Sequence, residues 1–133
     1  MSRHQLRFIS LSLFAVMAGC ASTPPPAQPA VGLAELMERP AERALIDGIR
    51  AYDDGQYPAA ETALRKALAA GLRSPRDQAS AHKLLAFITC TSNRPADCEA
   101  AFRAARAADP TFALSRSEAG HPQWGPIYRK VVP

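Results

Sequence analysis

The chain has 133 residues, enough for one small domain beyond any targeting segment and too few for two. It carries 16 Lys+Arg against 12 Asp+Glu with the two signs interspersed and no aromatic cluster among the basic residues, which argues against nucleic-acid binding. No phosphate-binding glycine loop, nucleophile elbow or metal-ligand spacing occurs, so neither an enzyme nor a cofactor or metal site is expected.

The first element is a targeting segment. Arg3, His4 and Arg7 precede an apolar run from Phe8 to Ala18, followed by the small pair Ala18-Gly19 and then Cys20. That run is far shorter than the roughly 20 residues a bilayer span requires, so residues 1–19 read as a secretory signal to be removed. Only Arg3 and Arg7 of the basic residues go with it, leaving a nearly balanced mature chain. Met17-Ala18-Gly19-Cys20 resembles the lipobox of bacterial lipoproteins, with Met17 where leucine is usual. The resemblance implies that Cys20 becomes the first residue and that its thiol carries diacylglycerol. Ala21 lacks the aspartate that commonly marks inner-membrane retention, so the expected location is the outer membrane, lipid-anchored and facing the periplasm. Acylation contributes about 0.8 kcal/mol per buried methylene, enough with several chains for stable anchoring.

Residues 20–32 then form a linker. Ala21 to Ala30 holds Pro24, Pro25, Pro26 and Pro29 and no large apolar side chain, so it cannot bury a core and is expected to sample polyproline II, roughly 30 Å long at about 3.1 Å per residue.

Residues 33–133 are rich in Ala, Leu, Arg and Glu, a composition that favours helices. Leu33, Leu36 and Met37 sit at helical spacing before Pro40 and predict a short leading helix. A second pattern runs through Leu45, Ile49 and Tyr52 to the turn Asp53-Asp54-Gly55, and a third through Ala60, Leu64 and Leu68 to Gly71. A polar loop is expected over 72–78. Leu84, Leu85, Phe87 and Ile88 mark a fourth helix ending near Asn93-Arg94-Pro95, and Phe102 with its flanking alanines marks a fifth, stopped by Asp109-Pro110. Pro126 opens a last short helix through Ile127, Tyr128 and Val131. The predicted fold class is all-α, two helical hairpins with leading and trailing pieces.

With Cys20 assigned to lipid, Cys90 and Cys98 remain. In an oxidising periplasm a pair eight residues apart in sequence is a disulfide candidate, the alternative being two buried free thiols. The mature-chain histidines His82 and His121 show no metal-ligand spacing with them.

The hairpins contain an internal repeat. Gly48, Gly55, Tyr57, Ala60, Leu64, Ala67 and Leu68 fall at the spacings of a tetratricopeptide repeat, and Leu85, Ala86, Cys98, Phe102, Ala105 and Pro110 occupy corresponding positions further on. The resemblance covers residues 41–110. It departs from the pattern at Asp47, at Ala51 and in the second turn, which lacks a glycine. By this resemblance Gly48 and Ala60 allow close helix approach, Tyr57 and Leu64 fill the space between hairpins, and the extra length of the second repeat belongs in the 71–78 loop. A Cys90–Cys98 bridge would staple the second hairpin across its turn. Tetratricopeptide repeats hold partner peptides or helices in a groove lined by the first helix of each hairpin, which here implies Asp47, Arg50, Asp54, His82 and Thr89 as partner-binding residues.

The tail concentrates the only tryptophan in the sequence. Trp124 and Tyr128 either cap the exposed edge of the second hairpin or form a partner-binding hot spot. His121 has no partner that would make it a general base, and Glu61 and Glu99 read as surface charge pairs with arginines rather than an acid/base couple. Gly120-His121-Pro122 followed by Trp124-Gly125-Pro126, together with the lipobox, linker and repeats, resembles the TssQ-like lipoproteins of type VI secretion systems. That resemblance implies a protein-protein interaction module supporting an envelope secretion apparatus, with a protein of that assembly as partner and no small-molecule substrate. A pilotin-like role for a pilus or secretin, and a structural envelope protein without a dedicated client, are the alternatives.

Overall fold

In the computed structural model the described residues are Gly32 and 39–132, all within the compact unit Val31–Pro133. The expected signal peptide, Cys20, the proline linker and the leading helix through Leu33, Leu36 and Met37 lie outside the described residues.

The described residues form six helices and no strand: α1 (Pro40–Asp53), α2 (Tyr57–Ala69), α3 (Pro75–Thr91), α4 (Pro95–Ala108), α5 (Arg116–Ala119) and α6 (Gly125–Val131). All but α5 carry a proline in the first or second position, where the absent N–H would have no intrahelical partner. Ser74 caps α3 by accepting from the Asp77 N–H at 3.2 Å. The turns close with residues in the left-handed region: Gly55 at φ 73°, Gly71 at φ 85° and Asn93 at φ 57°. Asn93 therefore does in the second hairpin what Gly55 does in the first, which accounts for the missing turn glycine, since asparagine tolerates this conformation better than most residues.

The chief packing is α1 on α2 and α3 on α4, with α2 against α3 joining the hairpins and α6 laid on α4. This is a tetratricopeptide-like pair of helical hairpins with a C-terminal capping helix. The repeat is visible in the core: Ala60 and Cys98, Leu64 and Phe102, and Ala67 and Ala105 are equivalent pairs, and all six are fully buried. A methyl group on Gly48 would stand 2.8 Å from Leu64 Cγ and Cδ2, so this glycine is what admits α2 so closely to α1. Tyr57 departs from the expected inter-hairpin role. It is 44% exposed, with its ring 5.5 Å from Tyr52, because it starts α2 at the outer end of the hairpin.

The 72–78 stretch is also not a polar loop throughout. Leu72 is buried in the first core cluster, and α3 already begins at Pro75. Gln78 lies in that helix and its Nε2 donates to the Leu72 carbonyl at 2.7 Å, fixing the buried loop. Much of the extra length of the second repeat is thus helix. Cys90, in the last turn of α3, is bonded to Cys98, in the first turn of α4, with Cα atoms 5.1 Å apart. For so short a loop the chain-entropy account gives about 2–3 kcal/mol of stabilisation.

The C-terminal cap forms a second core cluster with Phe87 and Phe102. Ser115 and Glu118 make a reciprocal capping box around α5, encoded locally as Ser-x-x-Glu. Gly125 is buried, and a Cβ there would lie 2.5 Å from the Ala119 carbonyl, so α6 can start only with glycine at this contact.

Candidate partner-binding surfaces

The second helix of each hairpin lies beside α3, and a depression of about 240 Å³ opens between them. Its walls are Arg65 and Leu68 of α2 and Asp97, Ala100, Ala101 and Ala104 of α4; His82, Leu85 and Thr89 of α3 form its floor. The spacing of His82, Leu85 and Thr89 puts them on one helix face. The alanines keep the α4 wall low, so apolar carbon dominates a channel with ionised groups only at its rim.

Those ionised groups are tied together. Glu61 accepts from Arg65 Nη2 at 2.7 Å along α2 and from Arg94 Nη2 at 2.5 Å across the hairpin boundary, and Arg94 Nη1 stands 3.7 Å from Asp97. The Arg94 hydrogen bond first, and Arg65 after it, hold the Glu61 carboxyl below its ordinary range despite partial burial. Glu61 is therefore a clasp between repeats, more than a solvated surface pair. His82 is driven the other way for a base: burial, reinforced by the Arg65 charge, lowers its pKa, so the imidazole is kept neutral in the channel. Such a surface can accept an apolar helix flank and offer a neutral hydrogen-bonding ring.

Of the residues expected to share one groove, the structure brings only His82 and Thr89 together. Thr89 is 1% exposed, and its hydroxyl is engaged with the Leu85 carbonyl at 2.7 Å and the Ala86 carbonyl at 3.1 Å, so it contributes wall and no free polar group. Asp47 lies instead in a different depression of about 410 Å³ between α1 and α2, lined also by Pro40, Arg43, Ala44, Ala59, Thr62, Ala63 and Lys66. Arg50 and Asp54 are exposed and line neither depression. The expected groove used the first helices alone, whereas both depressions involve a second helix. Leu68, Ala100 and Ala104 were missed; their signal was an alanine spacing of four on α4 with a leucine opposite.

Trp124 and Tyr128 belong to the cap. Trp124 stacks on Phe87 at 4.2 Å between ring centroids and on His121 at 3.3 Å, and its Nε1–H donates to the Glu118 carbonyl at 2.8 Å. Tyr128 is buried edge-on to Phe102, and its hydroxyl accepts from the Leu114 N–H at 3.1 Å. Tyr128 is thus a core residue of the cap, its ring buried and the acceptor side of its hydroxyl engaged. Lys83 joins the cap to α3 through Glu118 at 2.7 Å. Burial alone would raise the Glu118 pKa, but hydrogen bonds from Lys83 and Ser115 outweigh it and the net shift is downward. Glu99 pairs with Arg103 and, at 3.0 Å, with Lys130 of α6.

Among the described residues no group of three or more His, Cys, Asp or Glu is placed to hold a metal ion, and no helix is long and apolar enough to cross a membrane. Comparison with protein-family models, with curated proteins and with solved structures finds no match for this chain.

Proposed function

We propose that this chain is a lipid-anchored, periplasm-facing interaction module that holds a protein of an envelope assembly, and that the assembly is a secretion apparatus of the type VI kind. The observation that carries the interaction reading is the apolar channel between α2, α3 and α4, open to solvent and rimmed by the Glu61 clasp. A helix flank of Leu, Ala or Met matches its apolar chemistry. The cysteines support the envelope placement. Cys90 and Cys98 are bonded to each other, as in proteins of oxidising compartments, and Cys20 is left at the head of a proline-rich tether. The tail sequence Gly120-His121-Pro122 with Trp124-Gly125-Pro126 supports the type VI assignment by its resemblance to TssQ-like lipoproteins.

The test is density-gradient fractionation of envelopes with mass analysis of the N-terminal peptide. The expected result is outer-membrane recovery of a chain that begins at acylated Cys20. Recovery in the soluble fraction of an unacylated chain cut beyond Cys20 would refute the anchored reading.

A further inference from the structure

The floor of the channel between α2, α3 and α4 holds one polar group that the fold leaves unengaged. Of its three residues, Leu85 is apolar and the Thr89 hydroxyl is held by the Leu85 and Ala86 carbonyls. The His82 imidazole makes no hydrogen bond among the described residues, and neither ring nitrogen is sealed from solvent. The ring is half-buried and neutral, so it presents one N–H and one lone pair to whatever fills the channel. The apolar lining, Leu68, Leu85 and the α4 alanines, excludes water from it once the channel is occupied.

Charge decides which partner group that ring takes. The lining carries two ionised side chains, Arg65 of α2 and Asp97 of α4. Asp97 pairs with Arg94 at 3.7 Å, whereas Arg65 is the charge that bears on His82, adding to burial in lowering its pKa. Arg65 reaches Glu61 through Nε and Nη2 alone, so its Nη1 group has no partner among the described residues. Glu61 is also shared with Arg94, so its single charge faces two guanidinium groups. A partner lysine or arginine at His82 would meet a like charge, while a carboxylate there enters the field of Arg65.

We propose that the channel contains a carboxylate subsite: the partner is a protein helix whose apolar flank bears one Asp or Glu, and that carboxylate accepts from the His82 ring beside Arg65. The inference rests on the channel being the partner face and adds what selects the partner on it. Desolvating a carboxylate is costly unless it is both hydrogen-bonded and charge-paired; His82 supplies the first and Arg65 the second. A wholly apolar flank buries the His82 N–H without an acceptor, at a loss of about tenfold in binding. The subsite therefore fixes register along the channel and chooses among apolar helices.

The test is selection from a displayed library of helical peptides with a randomised apolar face, on the full chain in detergent, with the Ala100→Arg chain as counter-target. Enriched peptides are expected to carry one Asp or Glu within the apolar stripe. Enriched stripes without an acidic residue would overturn the subsite while leaving the channel reading in place; no enrichment over Ala100→Arg would overturn both. In the strongest binder, exchanging that Glu for Gln is expected to weaken binding to the parent by about tenfold and to the His82→Phe chain by less than about twofold. Equal losses on the two chains would take the carboxylate away from His82. The parent chain supplies a reading that needs no substitution at the site: the His82 imidazole nitrogen resonances, assigned against His121→Gln, should move toward the imidazolium position with the Glu peptide and not with the Gln peptide. The same shifts with both peptides would overturn the proposal.

Discussion

Gly48 and Leu64 provide the sharpest test of the packing, because the sign of one substitution should reverse with the state of the other. In the parent chain Gly48→Ala places a methyl 2.8 Å from Leu64 Cγ and Cδ2 and 3.2 Å from the Leu64 backbone nitrogen. Cγ is the branch point of the leucine, and the side chain is fully buried, so it has no free rotamer into which to retreat. Overpacking of this kind costs about 1–3 kcal/mol, against a gain of about 1 kcal/mol from replacing a mid-helix glycine by alanine. The net expectation is a loss of up to about 2 kcal/mol. Leu64→Ala alone removes the core side chain and should cost about 2–5 kcal/mol. In that background Cγ and Cδ2 are gone, the new methyl enters the space they left, and the helix-propensity gain of about 1 kcal/mol survives. Gly48→Ala should therefore be stabilising there, giving a coupling of about 1–3 kcal/mol between the sites, the overpacking cost itself. Urea unfolding of all four proteins, followed by far-ultraviolet circular dichroism, measures it. If Gly48→Ala stabilises the parent as much as the Leu64→Ala protein, α1 and α2 are not in the close contact described.

Reducing the Cys90–Cys98 bond, or replacing both residues by serine, should lower stability by about 2–3 kcal/mol while leaving the helical signal of the remaining folded protein intact; an unchanged urea midpoint would show that the bridge does not form. Trp124→Ala removes the Phe87 and His121 stacks and the Glu118 hydrogen bond, and for a half-buried tryptophan should cost about 2–3 kcal/mol, read as a lower Tm. The His82 pKa is lowered in the folded state, so its unfolded form binds the proton more tightly: no penalty applies above the ordinary imidazole pKa, and stability declines as pH falls from about 6.5 toward the folded value. His82→Gln should remove that part of the pH dependence, and a variant with the parent's profile would mean that His82 is not the group responsible. Glu61 is shifted down as well, so its clasp is present above the ordinary carboxylate range and is lost as pH falls through the folded value; Glu61→Gln should flatten the acid limb of the same titration.

The helices were legible where small and large residues alternate at helical spacing and a turn signal ends the run, as at Leu45 to Gly55 and Ala60 to Gly71. The repeat register was legible for the same reason, since Ala60, Leu64 and Ala67 have buried counterparts at Cys98, Phe102 and Ala105. Two local signals differ from the pattern around them. Pro75 opens α3 inside a polar stretch, because proline at a first helical position starts helices, and Asn93 takes the left-handed turn position that a glycine fills in the first hairpin. The surface was much less legible. A depression is set by how far α2 and α4 stand apart over α3, which no spacing along one helix reports, so Asp47 was grouped with His82 although the two line different depressions. Tyr128 could be read as an exposed anchor until the path of residues 112–128 placed the Leu114 N–H on its hydroxyl.

The most direct test of the interaction reading is affinity capture from detergent-solubilised envelopes, comparing the full chain with Cys20→Ser and with Ala100→Arg, an exposed change in the α4 wall of the channel. The account predicts that the parent recovers components of one secretion assembly, that Cys20→Ser loses them for want of placement, and that Ala100→Arg loses them while remaining acylated and folded. Recovery of nothing above background by the parent chain, or undiminished recovery by Ala100→Arg, would contradict it.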